Sequence, residues 1–360
     1  MVEMKMLVDD LDLLDLMMKD MASQKSIYSP GPYWLSYTKR AKLAIKRLGI
    51  NNFRHHKSIA MSGSYTDALN LDPLAYWKGG SLILRCLERI VNSHIGNRLF
   101  TDRFDRIIKQ QDQQIRLYRD FYMNHRFLEW FEKIQEQYDL PESMVGGAEN
   151  VVNFGGKIYS LFYIECIARI YNYSSRVDFT KVDSVFEIGG GFGANAHLLM
   201  HIFPNIRKYI YLDIPPNLYI GTQYLKCFFP GIVDYKQSRD RERIEFLDNG
   251  EREILIIAPW QIERINATFD CVWNSHSFVE MPVNVVQNYA KYINQSMRKK
   301  PSSFLCMLTY DNFNLSTTLH PEKLLEIFDE FLTIEKIDQL VNLQELENTI
   351  PYYFLGRIAK

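Results

Sequence analysis

The 360-residue sequence predicts an α/β fold, a largely parallel sheet with helices on both faces, behind a helical N-terminal domain. Three observations predict it. An apolar run, Val185 to Ile188, leads into Gly189, Gly190, Gly191 and Gly193, and then into Ala196, Leu198, Leu199, Ile202 and Phe203 at helical spacing as far as Pro204. Beyond that point apolar strands alternate with amphipathic helices. Ahead of it, residues 1–145 carry helical periodicity and no strand alternation. The expected division is a helical domain over 1–145, serving as acceptor cover or subunit interface, and an α/β domain over 146–360.

In chain order, the acidic leading segment places Leu11, Leu14, Met17 and Met18 on one helix face, which packs on the body or on a second subunit. Ser29-Pro30-Gly31-Pro32 breaks the chain, and Tyr33 to Leu48 reads as a basic amphipathic helix. Helical spacing recurs over Trp77 to Ile95 and over Asp102 to Tyr138. Pro141 ends that run, and residues 145–150 form a linker. The glycine pair Gly155-Gly156 is expected to precede a helix from Lys157 to Tyr173, acting as a hinge for a lid or as a plain connector. Past the glycine loop, strands are expected at 209–213, 254–257, 269–273, 303–308, 333–337 and 352–358. Helices are expected at 218–229, 285–297 and 324–331.

Strand, glycine loop and helix together bring bare backbone close to a ligand at a helix N-terminus. Gly189, Gly191 and Ala194 satisfy G-x-G-x-x-A, a dinucleotide fingerprint, with Asp213 at the distance of a ribose-binding acid. The same stretch reads Glu187-x-Gly189-x-Gly191-x-Gly193, which closely resembles the acidic loop of class I S-adenosylmethionine (SAM) methyltransferases. The acid separates the two readings. A carboxylate repels a pyrophosphate and suits a cofactor carrying an ammonium and a sulfonium. Asp213, followed by Ile214-Pro215-Pro216, offers two oxygens to ribose hydroxyls, or else caps the next helix. No Tyr-x-x-x-Lys pair of the short-chain dehydrogenase kind occurs.

The fourth strand runs into Asn274-Ser275-His276-Ser277-Phe278-Val279-Glu280-Met281, at the carboxyl rim of the sheet where ligands of open α/β folds sit. EIGGGFG at 187–193, YLDIPP at 211–216 and NSHSFVEM at 274–281 together resemble the bacterial sugar O-methyltransferases, a branch of the class I SAM enzymes. The resemblance covers the C-terminal two hundred residues. It implies a Rossmann-like sheet whose last strand is antiparallel, and transfer of a methyl group to a hydroxyl of a sugar or sugar-like metabolite. Glu187, Gly189, Gly191, Gly193, Asp213, Ile214 and Asn274 are expected around the cofactor, and Trp260, from its position after the third strand, against the adenine. Asn195 stands where many class I enzymes carry another small residue. Such a transfer needs a group to take the hydroxyl proton, and an imidazole suits it. His276 is the candidate base, with Glu280 orienting the ring if 276–280 is helical. Asp213, His276, Glu280, Asp311 and His320 are of metal-ligand type, but no spacing among them is diagnostic, so metal dependence stays open. An NAD-dependent oxidoreductase and a non-catalytic nucleotide-fold scaffold are the other readings of the same loop.

A net charge of −1 and a 47% apolar fraction provide a sizeable core and argue against a general nucleic-acid binder. Arg239, Arg241 and Arg243 alternate with acids, as a solvated face does. Five scattered cysteines form no C-x-x-C pair, which fits a reducing cytoplasm. No secretory signal or bilayer-length apolar run is read in the sequence, so a cytoplasmic protein without membrane partners is expected.

Overall fold

The structure, a computed structural model, describes residues 6–56, 59, 125–311, 319–341 and 350–359. These fall into two compact units. One comprises Met1–Met6, Arg40–Gln137 and Glu142–Ile164; the other comprises Leu7–Lys39, Tyr138–Pro141 and Glu165–Lys360. The helix expected over 77–95, and 102–124 of the next, lie outside the described residues.

The leading helix α1 (Leu11–Ala22) starts at Asp10, whose side chain accepts the Leu13 N–H. It buries Leu13, Leu14 and Met17. Leu11, expected on that face, is exposed, so the buried stripe is turned from the one predicted. Helix α2 (Pro32–Leu48) follows the expected span. In the first unit, α3 (His125–Gln137) lays Phe131 against Phe154 and Tyr159, with ring centroids 4.7 and 5.0 Å apart. Those two aromatics belong to an antiparallel hairpin, β1 (Val151–Phe154) and β2 (Lys157–Ser160). The expected helix over 157–173 is thereby corrected. Gly155 and Gly156 have φ of +57° and +82°, the left-handed pair that a two-residue hairpin turn requires, so Lys157–Ser160 pairs as a strand. Helix α4 begins only afterwards (Leu161–Ser174).

The second unit holds the sheet. Its elements are β3 (Ser184–Ile188), α5 (Ala194–Ile202), β4 (Lys208–Leu212), α6 (Pro215–Lys226), β5 (Ile232–Val233), α7 (Tyr235–Ser238), β6 (Glu253–Ile257), β7 (Cys271–Ser275), α8 (Val283–Lys299), β8 (Phe304–Asp311), α9 (Pro321–Asp329), β9 (Leu332–Ile337) and β10 (Ile350–Ile358). The strand order is β5-β6-β4-β3-β7-β8-β10-β9. Every pairing from β5 through to β8 is parallel. The last strand, β10, runs antiparallel between β8 and β9. This is the expected Rossmann-like sheet with its last strand antiparallel, and β3, β4 and β6 are buried along their whole length, as parallel strands are. Helix α6 starts three residues before the expected Leu218, because Pro215 and Pro216 stand in its first turn, where a missing N–H costs nothing.

Helix α1 packs on the body of this unit. Asp10 pairs with Lys236 at 2.8 Å, and Asp20 pairs with Arg239 at 2.6 Å and accepts the Tyr235 hydroxyl at 2.8 Å. Arg239 thus holds α1 rather than lying on a solvated face. Among the described residues no helix is long and apolar enough to cross a membrane.

Candidate active site

The site is built on the turn after β3. Gly189, Gly191 and Gly193 have φ of +77°, +64° and +95°, conformations that side-chain-bearing residues rarely adopt. Gly190 is required for a different reason, since a Cβ there would lie 2.1 Å from the Tyr211 ring. Strand β4 clamps the loop from both sides. The Tyr211 hydroxyl donates to the Gly191 carbonyl at 2.6 Å, and the Gly191 N–H donates to Asp213 Oδ2 at 2.7 Å. Asp213 Oδ1 accepts from the Ile214 N–H at 2.6 Å and from Asn217 Nδ2 at 3.2 Å. Ile214 itself, in extended conformation, caps α6.

Glu187, at the end of β3, is fully buried. Its Oε1 accepts from Asn195 Nδ2 at 3.0 Å and its Oε2 from the Tyr209 hydroxyl at 2.9 Å. Both carboxylate oxygens are thus held by the protein's own side chains, behind the loop. Burial pushes its carboxyl up to about 7, against the opposing pull of those two donors. Asp213 is likewise raised to about 7 by burial, with a further push from the Glu187 charge.

Strand β7 supplies the opposite wall. The Asn274 side chain is buried and donates to the Ile188 carbonyl at 2.8 Å and to the Ser277 hydroxyl. The Ser277 hydroxyl also donates to the Ile188 carbonyl, at 3.1 Å, and its side chain covers Gly189 so closely that a Cβ there would meet it at 2.3 Å. Asn274 and Ser277 therefore stitch this segment onto the glycine turn. His276 adopts a left-handed φ of +68° and its N–H donates to the Leu308 carbonyl at 2.8 Å. Its ring stands edge-on to Tyr310, with centroids 5.2 Å apart at 89°. Its Nε2 is buried and has no hydrogen-bond partner. Burial, then the Arg169 charge, holds the imidazole well below its usual range, so the ring is neutral at pH 7.

Residues Ser277–Glu280 form a 3₁₀ turn, not an α-helix, and Glu280 does not reach the His276 ring. Instead, Glu280 Oε2 accepts from Trp34 Nε1 at 2.8 Å, and its Oε1 accepts from the Tyr310 hydroxyl at 3.4 Å. Tyr310 therefore stands between the two residues that sequence reasoning had paired directly. Burial raises Glu280 to about 7, and the Asp213 charge adds to that. Trp260 belongs to a different cluster. Its Nε1 donates to the Tyr235 hydroxyl at 3.1 Å, which in turn donates to Asp20. Asp311 and His320 pair with each other at 3.2 Å, and among the described residues no group of three potential ligands is placed to hold a metal ion.

Several residues of this arrangement escaped sequence reasoning. Tyr209 and Tyr211 had a signal, a hydroxyl at every second position of a buried strand, where each needs a partner. Trp34 had none, being 246 positions from the carboxylate it binds.

No family model matches the sequence, and no curated protein sequence matches it. Solved structures to which the chain is similar include mitomycin 7-O-methyltransferase MmcR, at 16% identity over 54% of this chain and 54% of that one, with a TM-score of 0.38. Human N-acetylserotonin methyltransferase in complex with SAM aligns at 12% identity over 55% and 54%, with a TM-score of 0.37. The pyocyanin biosynthetic protein PhzM aligns at 14% identity over 55% and 57%, with a TM-score of 0.38. The chain spans little more than half the length of each of these proteins.

Proposed function

We propose that this protein is a SAM-dependent methyltransferase that transfers a methyl group to a hydroxyl of a sugar or sugar-like metabolite. The observation that carries the cofactor is the pair of buried carboxyls, Glu187 and Asp213, set at the glycine turn. Glu187, Asp213 and Glu280 are all held near 7 by burial. Beside the first two, Asn195 Oδ1 and Asn217 Oδ1 are buried acceptors without a donor. A ligand bearing an ammonium, a sulfonium and ribose hydroxyls suits the field of these carboxyls, whereas a pyrophosphate adds acceptors and negative charge beside them. The residues fit such a ligand. The turn would receive it on bare backbone, and Asp213 Oδ2, which accepts one bond, keeps room for a hydroxyl. Asn274 and Ser277 act from behind, by fixing the turn.

When bound, SAM supplies an electrophilic methyl group. The chain's part is to orient the acceptor oxygen and remove its proton. His276 Nε2, neutral and unpartnered, is the group free to take that proton. Glu280, fixed by Trp34 and Tyr310, holds the Tyr310 ring against the imidazole and acts as a positioning residue. The sugar acceptor rests on the resemblance carried by the three sequence motifs.

Calorimetry with SAM and with NAD, followed by release of S-adenosylhomocysteine in the presence of candidate glycans, tests the reading. Saturable binding of SAM without NAD binding supports the cofactor, and glycan-dependent release supports the reaction. Binding of NAD in its place rejects both.

A further inference from the structure

The leading segment touches the sheet's carboxyl rim on both sides of the candidate active site. Helix α1 stays on α6 and α7 by its apolar face, where Leu13, Leu14 and Met17 are fully buried. A fork from Arg239 adds to this, its Nε and Nη2 donating to the Asp20 carboxylate at 2.6 and 3.1 Å. The chain beyond α1 is held differently. Ala22, Ser23, Lys25 and Ser26 are exposed, and from Ala22 to Gly31 the one buried residue is Tyr28. Its hydroxyl donates to Glu263, in the turn Pro259–Arg264 that follows β6. Three residues on, Gly31 lies against Pro282, which follows β7, so closely that a Cβ there would be 2.8 Å from the proline ring. Trp34 then donates to Glu280.

The run β6-β4-β3-β7 in the sheet sets β4 and β3 between these two contacts. The carboxyl tips of those two strands carry Asp213 and the glycine turn. Three strand spacings amount to about 14 Å. An extended chain from Tyr28 to Gly31 covers about 10 Å of that, and the tyrosine side chain covers the rest. Ser29 is extended, as a direct crossing needs. We propose that residues 22–31 form a strap across the tips of β4 and β3, which must lift for a ligand of the glycine turn to enter or leave, and that Tyr28 is its latch. One buried ring on an otherwise exposed stretch makes such local opening cheap while α1 stays in place. The strap follows from the chain's own contacts; that its ligand is SAM rests on the reading given above.

Kinetics separate a gate from a ligand contact. A gate slows entry and exit alike, whereas losing a contact speeds exit alone. Rapid filtration measures association and dissociation of tritiated SAM, and in parallel of tritiated NAD, on the full chain. For whichever ligand binds, Tyr28→Ala should raise both rates by about tenfold or more and move Kd by less than about threefold. Glu263→Gln, an exposed residue at the other end of the same contact, should raise both rates by about threefold, and it carries the test should Tyr28→Ala not fold. Unchanged SAM rates in the folded variants reject the strap and keep the cofactor. Faster dissociation alone also rejects the strap, because it makes Tyr28 an ordinary ligand contact. NAD binding in place of SAM, with both rates raised, rejects the methyltransferase and keeps the strap. If neither ligand binds, the turn has nothing to gate and both are overturned.

Discussion

Replacing Glu187 with Gln removes a buried ionisable group while keeping its shape. Both hydrogen bonds can survive. The Tyr209 hydroxyl still has an oxygen to donate to, and the Asn195 amide can rotate to present Oδ1, which now has no partner, to the new side-chain nitrogen. What changes is titration. The wild-type carboxyl is raised from 4.5 to about 7 in the folded state. Between those values the folded protein holds a proton that the unfolded chain has released, so stability falls as pH rises through that window and is flat above it. The full displacement corresponds to about 3 kcal/mol, taken as an upper value. Glu187→Gln cannot ionise and escapes this loss. Urea denaturation at pH 5, 6, 7 and 8 should therefore show the variant gaining on the wild type by up to about 3 kcal/mol between the acid and alkaline ends. Acids that do not feel the Glu187 charge contribute the same slope to both proteins and cancel in the difference, whereas Asp213, which that charge raises, titrates lower in the variant and adds to the gain. A stability difference that stays constant across this range would refute the assignment of Glu187 as a buried, reluctantly ionised acid.

Gly191→Val places a β-branched residue at φ +64°, at a strain of about 1–2 kcal/mol, and adds a side chain to the turn. Calorimetry should find SAM binding lost with far-ultraviolet dichroism unchanged, and retained affinity would exclude the turn as the cofactor site. His276→Ala should bind SAM normally and turn over about 10²–10⁴-fold more slowly; a variant with wild-type turnover removes His276 as the base. Trp34→Phe takes away a donor that favours the charged form of Glu280, so that carboxyl should titrate higher still, by about one pH unit. Carbon-13 NMR of labelled glutamate reads this midpoint, and an unmoved midpoint contradicts the contact.

What the sequence made legible was local. The glycine turn announces itself because left-handed residues at three alternate positions admit little but glycine, and the strands either side of it are continuous buried runs. Asp213 could be placed because it ends such a run. The Gly155-Gly156 pair was equally local but ambiguous, since the same dipeptide serves a hinge or a hairpin, and only the pairing of Val151–Phe154 with Lys157–Ser160 decides between them. The partners of the buried acids were not legible at all. Glu280 depended on a helical i,i+4 relation that a left-handed His276 prevents, and its real partner lies in the leading segment. The Tyr235 hydroxyl that the Trp260 indole N–H meets was equally out of reach of local reasoning.

The buried position of Glu187 changes how the glycine-loop acid discriminates between ligands. A carboxylate touching the ligand would choose by contact. One lying behind the turn, held by Asn195 and Tyr209, acts through its field, and only when it is ionised. Burial raises Glu187 and Asp213 to about 7, and each charge opposes the other, so they titrate as a pair. A cation at the turn lowers both, and they release protons on binding. An anion raises both, and they take protons up. The sign of the proton exchange therefore identifies the ligand class without any substrate. Titration of SAM at pH 7 in buffers of different ionisation enthalpy should show release of about one proton, with affinity rising between pH 6 and pH 8. Proton uptake, or an affinity that falls over that range, would mean that the turn is built for a phosphate after all.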